Sequence, residues 1–292
     1  MSRASSYRQI GIVGTGRVAS AIGLALAGHS KAPLRVWGRD PERCAAAIAS
    51  IGRACPAPRL ADIAERCDLV VLAISDDALE QSVAALAAID GPASPFAFHV
   101  SGRSGAAILA PLEARGWRTA AIHPAMTFTG DPQAEVGQMI GARFAVTGST
   151  VQASAEARTI VARLGGVPVD IAEAHRPLYH AALCHGANHL VTLIAGSCEA
   201  LVAAGVDDPA ALLAPLVRAA LENGLGMGIA GLSGPLLRGD AETIGGHVTA
   251  LRDHCPTLLP PYRAMGIATL DAIEHVNGTA WPSCRSILEK DP

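Results

Sequence analysis

The stretch QIGIVGTGRVASAIGLALAGHSKAPLRVWGRD, residues 9–40, decides the fold of this chain. It opens with a short apolar run that is typical of a buried strand and that stops at a glycine. The spacing GxGxxA follows, in which small residues let the backbone approach a pyrophosphate and let the next helix pack closely on a sheet. The amides at the start of that helix would point at the anion. We therefore expect a dinucleotide cofactor to contact the residues of this turn, Gly14, Thr15, Gly16, Arg17 and Val18.

The end of the second predicted strand, residues 34–37, indicates which dinucleotide binds. An NAD site usually has Asp or Glu there to accept a hydrogen bond from the ribose 2′-hydroxyl, whereas this chain has Gly38, Arg39 and Asp40. The glycine leaves room for a 2′-phosphate and Arg39 can bind it, so the sequence predicts NADP(H). In the alternative interpretation, Arg39 is an exposed residue at the start of a helix that Asp40 caps.

Later predicted strands also end in polar residues. An apolar run over residues 68–74 is followed by Ser75 and Asp76, and the next predicted strand is followed by Ser101. Because ligands of open α/β sheets bind beyond the carboxyl ends of the strands, we expect these three residues near the cofactor, unless Ser75 and Asp76 only cap the next helix. His123 follows the sixth predicted strand and is either a hydrogen-bond donor to substrate or a structural residue.

Composition limits the classes of protein that this chain can belong to. Hydrophobic residues make up 50% of the 292 residues and aromatic residues only 3%, which suits aliphatic packing around a parallel sheet. The net charge of -3, without a basic stripe, argues against nucleic acid as a partner. Seven scattered cysteines without a CxxC pair favour reduced thiols and a cytoplasmic location. We expect neither a signal peptide before the first strand nor a membrane span.

From residue 177 onward, predicted strands are replaced by long helical segments. This change predicts a doubly wound, parallel Rossmann domain over residues 1–173 and a helical domain for substrate binding and dimerisation over residues 174–292. The later helices are so apolar that one small domain cannot bury their surface alone, so we expect a homodimer.

The first long predicted helix, residues 177–204, carries two polar patterns. His180, Cys184 and Asn188 recur every four residues and share one face of the helix. His185 and His189 form a second pair with metal-ligand spacing, but no carboxylate or HExxH context accompanies them. Packing is the favoured interpretation, and we predict no metal site.

A glycine-rich segment at residues 231–240 ends in Arg238 and Asp240. These two residues could orient a small anionic substrate, or they could pair with each other and cap helices. The residue pattern alone leaves both interpretations open.

Several strings resemble a known arrangement, in which a Rossmann domain precedes a helical domain of the 6-phosphogluconate-dehydrogenase-like type. More closely, the chain is similar to short, provisionally named NADP oxidoreductases whose C-terminal half is a domain of unknown function. The matching strings are GIVGTGRVA at 11–19, HVSG at 99–102, His123-Pro124, LYHAALCHGANHL at 178–190 and SGPLLRGD at 233–240.

The resemblance implies a reaction. Broader relatives, which include ketopantoate reductase, pyrroline-5-carboxylate reductase and β-hydroxyacid dehydrogenases, pass hydride between a nicotinamide and a small acid. Several of them use a lysine four residues before an asparagine as proton donor. Here the asparagine matches Asn188, but position 184 is cysteine. We therefore favour His180, one helical turn earlier, as the acid, with His123 as the alternative.

The leading hypothesis is an NADPH-dependent reductase of a small 2-oxo or imino acid, acting between the two domains, with ketopantoate as the first compound to try. Asn188 would hold the carbonyl or imine, and Arg238, with Asp240 beside it, would hold the carboxylate. The main alternative is a protein that binds NADP(H) and reports its redox state without catalysis. A third is an amine dehydrogenase that works in the oxidative direction.

Overall fold

The computed structural model describes residues 7–90 and 94–290. The chain divides into two compact units that meet between Cys184 and His185. The domain boundary expected between residues 173 and 174 lies shortly before the long helix Arg176–Ala203, which continues past the junction of the two units.

One eight-stranded sheet organises the first unit. Its strand order is β3-β2-β1-β4-β5-β6-β7-β8. The pairs from β3 through β6 are parallel, β7 is antiparallel to β6, and β8 is parallel to β7. The strands are β1 (Ile10–Val13), β2 (Leu34–Trp37), β3 (Ala54–Pro56), β4 (Leu69–Leu72), β5 (Phe96–His99), β6 (Arg118–Pro124), β7 (Arg143–Gly148) and β8 (Val167–Asp170).

Helices cover both faces of this sheet. They are α1 (Arg17–Leu26), α2 (Pro41–Ile51), α3 (Ala61–Arg66), α4 (Asp76–Ala87), α5 (Ala110–Glu113), α6 (Pro132–Met139) and α7 (Val151–Arg163). Successive residues of β4 belong to different hydrophobic clusters, Val71 to one and Val70 to the other, because side chains alternate between the faces of a strand. The predicted doubly wound α/β fold is confirmed, and the continuous apolar runs reflect burial on both faces.

The end of β6 differs from the sequence-based expectation. His123 and Pro124 were predicted to follow the strand, but they belong to it and pair with Ala145 and Phe144 of β7. The chain reverses direction after β6, through a loop and α6, so β7 returns antiparallel and extends the ladder. His123 therefore lies on a paired strand rather than on a loop.

The second unit is helical, as predicted. After α8 (Arg176–Ala203) come α9 (Pro209–Met227), α10 (Pro235–Arg238), α11 (Ala241–His254), α12 (Leu259–Asn277) and α13 (Pro282–Glu289). The helices α5, α6, α10, α11 and α13 were not predicted from the sequence. In α11 two adjacent glycines lower the intrinsic helix propensity, and burial of Ile244 and Val248 in the core of the unit outweighs that cost.

The helices α8 and α9 leave much apolar surface exposed. Arg176 is the one buried residue of α8, and α9 has none. Large hydrophobic side chains that remain exposed on these helices include Leu178, Val191, Val202, Leu212, Leu216 and Leu225. None of the helices in the described ranges has both the length and the apolar character that a bilayer-spanning helix requires.

Candidate functional site

The carboxyl ends of β1, β2 and β4 border a cavity of about 860 Å³. The helix after β1 packs on one face of the sheet and the helix after β4 on the other, so this is the point at which the strand order reverses. Open α/β sheets bind ligands in the crevice at such a point. The structure brings together here the predicted turn residues, 14–18, with Arg39 and Ser75.

Positions 14 and 16 of the turn are glycine for different structural reasons. Gly14 has a φ of 125°, and a Cβ there would lie 2.1 Å from the Ala73 carbonyl oxygen, so only glycine fits between the adjacent strand ends. A Cβ on Gly16 would meet nothing within 4 Å. Gly16 opens α1, which has neither a side-chain cap nor an acidic residue in its first turn. The free amides beside open space fit the phosphates of a dinucleotide.

Three arginines line the same cavity. Arg17 donates from Nη1 to the Phe128 carbonyl at 3.3 Å, and Arg39 and Arg43 are exposed at the cavity wall. Asp40 caps α2, because its carboxylate accepts from the amides of Glu42 (2.9 Å) and Arg43 (3.2 Å). The capping part of the alternative interpretation therefore holds, while Arg39 still lines the cavity. Sequence reasoning missed Arg43, although its position one helical turn after Arg39 was a usable signal.

The other predicted cofactor neighbours are placed differently. Ser75 lines the cavity at the start of α4 but makes no side-chain cap hydrogen bond. Asp76 faces a separate cavity and forms an ion pair with Arg103 at 2.9 Å. Ser101 is buried, and its Oγ accepts from the Ser104 amide at 3.2 Å. The structure does not bring Asp76 and Ser101 to the cavity wall, and their observed contacts order the loop after β5.

A second group of side chains meets near the ends of β5 and β6. His123 Nδ1 lies 2.9 Å from the Tyr179 hydroxyl, and the rings of His123 and His180 are edge to face with centroids 6.0 Å apart. Gly102 borders both histidines, since a Cβ on it would lie 2.9 Å from His123 Nε2 and 2.5 Å from His180 Cδ2. The structure thus joins both predicted acids in the first unit. Sequence reasoning missed Tyr179, because it lies off the helix face that carries His180.

Arg176 underlies this group. Its side chain is fully buried, and it donates from Nε to Thr147 Oγ1 at 2.8 Å and from Nη2 to the carbonyls of Ala121 and Ala145 at 3.1 Å each. Its guanidinium carbon lies 5.9 Å from the centroid of the Tyr179 ring. Burial lowers the pKa of Arg176 to about 10, which leaves it positively charged at neutral pH.

The same environment acts on His123. Burial lowers the pKa of His123 to about 4, and the charges of His180 and Arg176 lower it further. Burial also raises the pKa of Tyr179, against an opposite effect of Arg176. At neutral pH the pair is therefore a neutral imidazole and a neutral phenol.

His99 holds the loop that carries Gly102. Its Nε2 lies 2.8 Å from the Gly105 carbonyl, and its Nδ1 accepts from the Ser101 amide at 3.1 Å. Because a carbonyl can only accept, Nε2 carries the proton and the ring is neutral. Burial lowers the pKa of His99 to about 4.

We expect acid to weaken the fold through His99. The pKa of His99 is about 4 in the folded chain and about 6.5 in the unfolded chain, so the unfolded state binds more protons between these values. The free energy of unfolding should then fall as pH drops from about 6.5 to 4, with a contribution from this residue of up to about 1.4 kcal/mol per pH unit. Urea titrations of wild type and His99→Gln across this range measure the difference in slope.

The exposed His175 provides a control for that measurement. His175→Gln should leave the pH dependence of unfolding as in wild type. Equal slopes for His99→Gln and wild type would contradict the assignment.

The predicted substrate-binding residues of the second unit are more exposed than the histidines of the first unit. Asn188 lies exposed on α8, and Arg238 is exposed at the end of α10. Asp240 caps α11, since its carboxylate accepts from the Thr243 amide at 3.0 Å and from the Thr243 hydroxyl at 2.7 Å. These two hydrogen bonds lower the pKa of Asp240. The structure therefore shows the capping alternative for Asp240.

The histidine pair of α8 makes a contact within the second unit. His185 Nδ1 and His189 Nδ1 lie 3.0 Å apart, and both residues are exposed. Within residues 7–90 and 94–290, no three His, Cys, Asp or Glu side chains are grouped so as to hold a metal ion.

Two family models match the chain. A Rossmann-like domain matches residues 3–124, and the domain of unknown function DUF2520 matches residues 142–269. No curated protein matches this chain.

Solved structures with the same fold span both parts of the chain. A provisionally named NADP oxidoreductase from Bacteroides fragilis is 19% identical with a TM-score of 0.74, and the match covers 90% of this chain and 97% of that one. The reductive aminase from Aspergillus terreus, solved with NADPH and ethyl-5-oxohexanoate, is 20% identical with a TM-score of 0.67 and coverages of 97% and 98%. A 1-pyrroline-5-carboxylate reductase from Streptococcus pyogenes is 19% identical with a TM-score of 0.58 and coverages of 76% and 80%.

These structures share the fold of this chain at 19–20% identity. The order of the two matched domains is the order predicted from the strings at the two ends of the chain. The chain therefore carries a Rossmann-like domain that is followed by a DUF2520 domain.

Proposed function

We propose that this protein is an NADPH-dependent oxidoreductase that reduces a small 2-oxo or imino acid. The observation that carries the proposal is the cavity at the strand-order reversal, which is lined by the open glycine turn and by Arg39 and Arg43. Those groups match the two kinds of phosphate in NADPH. The reductive aminase of the same fold was solved with NADPH, which supports the choice of cofactor.

In this proposal, different residues of the cavity bind different parts of NADPH. The amides at the start of α1 bind the pyrophosphate, and the guanidinium groups of Arg39 and Arg43 bind the 2′-phosphate. NADPH, when bound, supplies the hydride. The neighbouring loop residues Ser75 and Val100 line the wall beside the turn and shape the space for the cofactor.

The remaining residues bind substrate and supply a proton. His180 or His123 protonates the oxygen or nitrogen of the reduced group. Asn188 is the proposed ligand of the carbonyl or imine, and Arg238 of the carboxylate. The exposure of both side chains leaves them free to bind a ligand.

Arg39→Ala and Arg43→Ala should each weaken NADPH binding about 10- to 100-fold, the usual effect of losing a hydrogen bond to a charged group. NADH binding should change little, because NADH lacks the 2′-phosphate. Calorimetric titration of both nucleotides into each variant measures the difference. The exposed Arg252 on α11 offers a charge-matched control, and Arg252→Ala should bind both nucleotides like wild type. Equal losses for NADPH and NADH would refute the 2′-phosphate assignment.

The direct test of the proposal is oxidation of NADPH with a panel of 2-oxo and imino acids, ketopantoate included. Turnover that His180→Ala or Asn188→Ala abolishes would support the reductase. Tight NADPH binding without turnover across the panel would favour the redox-sensing alternative. The main support for that alternative is that position 184 is a cysteine, where several relatives have a proton-donating lysine. Reduction of NADP⁺ by amino acids at high pH would favour the amine dehydrogenase.

We further propose that the chain works as a homodimer in the cytoplasm. The exposed apolar side chains of α8 and α9 support self-association, since surfaces of this kind are usually covered in solution. All seven cysteines are free, which suits a reducing compartment.

A further inference from the structure

The side chain of Thr15 occupies the space beside Gly38. Both residues line the cavity at the strand-order reversal, Thr15 in the glycine turn and Gly38 directly after β2. A Cβ on Gly38 would lie 2.5 Å from the Thr15 Cγ2 methyl, and 3.6 Å from both Cβ and Oγ1 of Thr15. Because carbon atoms pack at about 3.5–4.0 Å, the Thr15 methyl alone stands in the way of a side chain at position 38.

The backbone at Gly38 does not itself require glycine. The φ of Gly38 lies outside the left-handed region, unlike the φ of 125° at Gly14. A larger residue at position 38 would therefore escape the strain that a left-handed backbone imposes. The contact with Thr15, rather than the backbone conformation, is what a side chain at this position would disturb.

The turn that carries Thr15 is held in place by two neighbouring strands. The Gly14 amide donates to the Trp37 carbonyl of β2 at 2.9 Å, and Gly14 packs closely on the Ala73 carbonyl that follows β4. Threonine is also branched at Cβ, so its side chain has few favourable rotamers. A Cβ at position 38 would thus have to displace either the Thr15 methyl or the turn itself.

The charges near Gly38 are mostly positive. An NAD site usually has an acidic residue at this strand end to bind the ribose 2′-hydroxyl, and its carboxylate would have to start from the Cβ position that Thr15 excludes. Among the described residues that line the cavity, Asp40 has the one carboxylate, and its Oδ1 is occupied in capping α2. The guanidinium groups of Arg39 and Arg43 line the same cavity, so the charges here favour a phosphate as the ligand.

We propose that Thr15 is a specificity-determining residue, which together with Gly38 keeps an acidic side chain away from the end of β2. The pair thereby removes the ligand that NADH would need and leaves the site to the 2′-phosphorylated nucleotide. This inference rests on the proposed NADPH-dependent oxidoreductase and deepens its cofactor preference. Arg39 and Arg43 attract the phosphate, whereas Thr15 acts by occupying space.

Calorimetric titration of NADPH and NADH into variants at position 38 tests the pair. Gly38→Asp should lower the affinity for NADPH about 100-fold, because its carboxylate repels the 2′-phosphate, and should also weaken NADH binding, because its Cβ displaces the turn. Gly38→Asp/Thr15→Ser lacks the clashing methyl and keeps only the oxygen 3.6 Å away. This double variant should bind NADH about 10-fold more tightly than Gly38→Asp does, and more tightly than it binds NADPH.

Thr15→Val provides the matched control, since valine keeps the Cγ2 methyl and replaces only the hydroxyl. Gly38→Asp/Thr15→Val should therefore bind NADH no better than Gly38→Asp does. Equal NADH affinities of the two double variants would overturn the proposal. A Gly38→Asp single variant that already binds NADH more tightly than wild type would overturn it as well, because Thr15 would then exclude nothing.

Thermal unfolding without any cofactor separates the contact from the function. Gly38→Ala should lower the melting temperature by about 2–4 °C, and Gly38→Ala/Thr15→Ser should recover most of that loss. Gly28→Ala should melt like wild type, since a Cβ on Gly28 would meet nothing within 4 Å.

The outcomes distinguish the two proposals. A Gly38→Ala loss that Thr15→Ser does not relieve overturns the steric pair, even in a protein that binds NADPH. A wild type that shows the expected melting behaviour but binds neither nucleotide overturns the proposed function and the specificity role of Thr15 with it. Relief of the loss by Thr15→Ser, together with the gain in NADH affinity of Gly38→Asp/Thr15→Ser, supports the proposal.

Discussion

Gly14→Ala should lose most of its folding stability, with a fall in the free energy of unfolding of more than about 4 kcal/mol. Two causes add. The φ of 125° is strained for any residue with a Cβ, and that Cβ would lie 2.1 Å from the Ala73 carbonyl oxygen, which belongs to backbone that is itself paired in the sheet. Since small proteins have only about 5–15 kcal/mol of stability, the variant should be largely unfolded or insoluble. Urea denaturation followed by circular dichroism measures the loss.

Gly16→Ala is the matched control. A Cβ at Gly16 meets nothing within 4 Å, so the stability should stay within about 1 kcal/mol of wild type. The same methyl would occupy the space in front of the α1 amides, and NADPH affinity should fall about 100-fold by calorimetry. A stable Gly14→Ala protein, or a Gly16→Ala protein that binds NADPH normally, would show that the turn does not work as described.

Gly102→Ala should abolish most of the activity while cofactor binding persists. The new Cβ would lie 2.5 Å from His180 Cδ2 and 2.9 Å from His123 Nε2, so both rings must move from the positions that they hold in the wild type. Misplacing a catalytic group by about 1 Å can cost about 100-fold in rate, and we expect kcat to fall by that factor. Steady-state oxidation of NADPH gives kcat, and calorimetry gives the NADPH affinity.

Gly137→Ala serves as the control for Gly102→Ala. Gly137 lies on α6, where a Cβ would meet nothing within 4 Å, so both the rate and the affinity should match wild type. Unchanged kcat in Gly102→Ala would place the chemistry away from the two histidines. A parallel loss of NADPH affinity would instead indicate that Gly102 belongs to the cofactor cavity.

Much of the first unit was predictable because its signals are local. The apolar runs at β1 and β4, the glycine turn and the arginine after β2 each occupy a few consecutive residues, and the structure brings the turn, Arg39 and Ser75 to one cavity. The helical character of the chain after residue 176 was equally visible in its composition and helix punctuation.

Other features could not be predicted, because they depend on partners far away in the chain. His123 was expected on a loop, but pairing with β7 draws it into β6. From the sequence, Asp240 could either help to bind a substrate or cap a helix. Its hydrogen bonds with the amide and hydroxyl of Thr243 show that it caps α11. The adjacent glycines of α11 lower its helix propensity, and burial in the core of the second unit nevertheless stabilises the helix.

By itself the sequence determined the α/β fold, the dinucleotide-type turn and the helical second half, because glycine conformation, apolar periodicity and helix signals act between near neighbours. Only the tertiary structure decided that Tyr179 meets His123, which is 56 residues away in the chain, and that Gly102 lies close against both His123 and His180. The physical reason is that a hydrogen bond or a close contact between distant residues follows from how strands and helices pack, and packing is not encoded in any one short stretch of the chain.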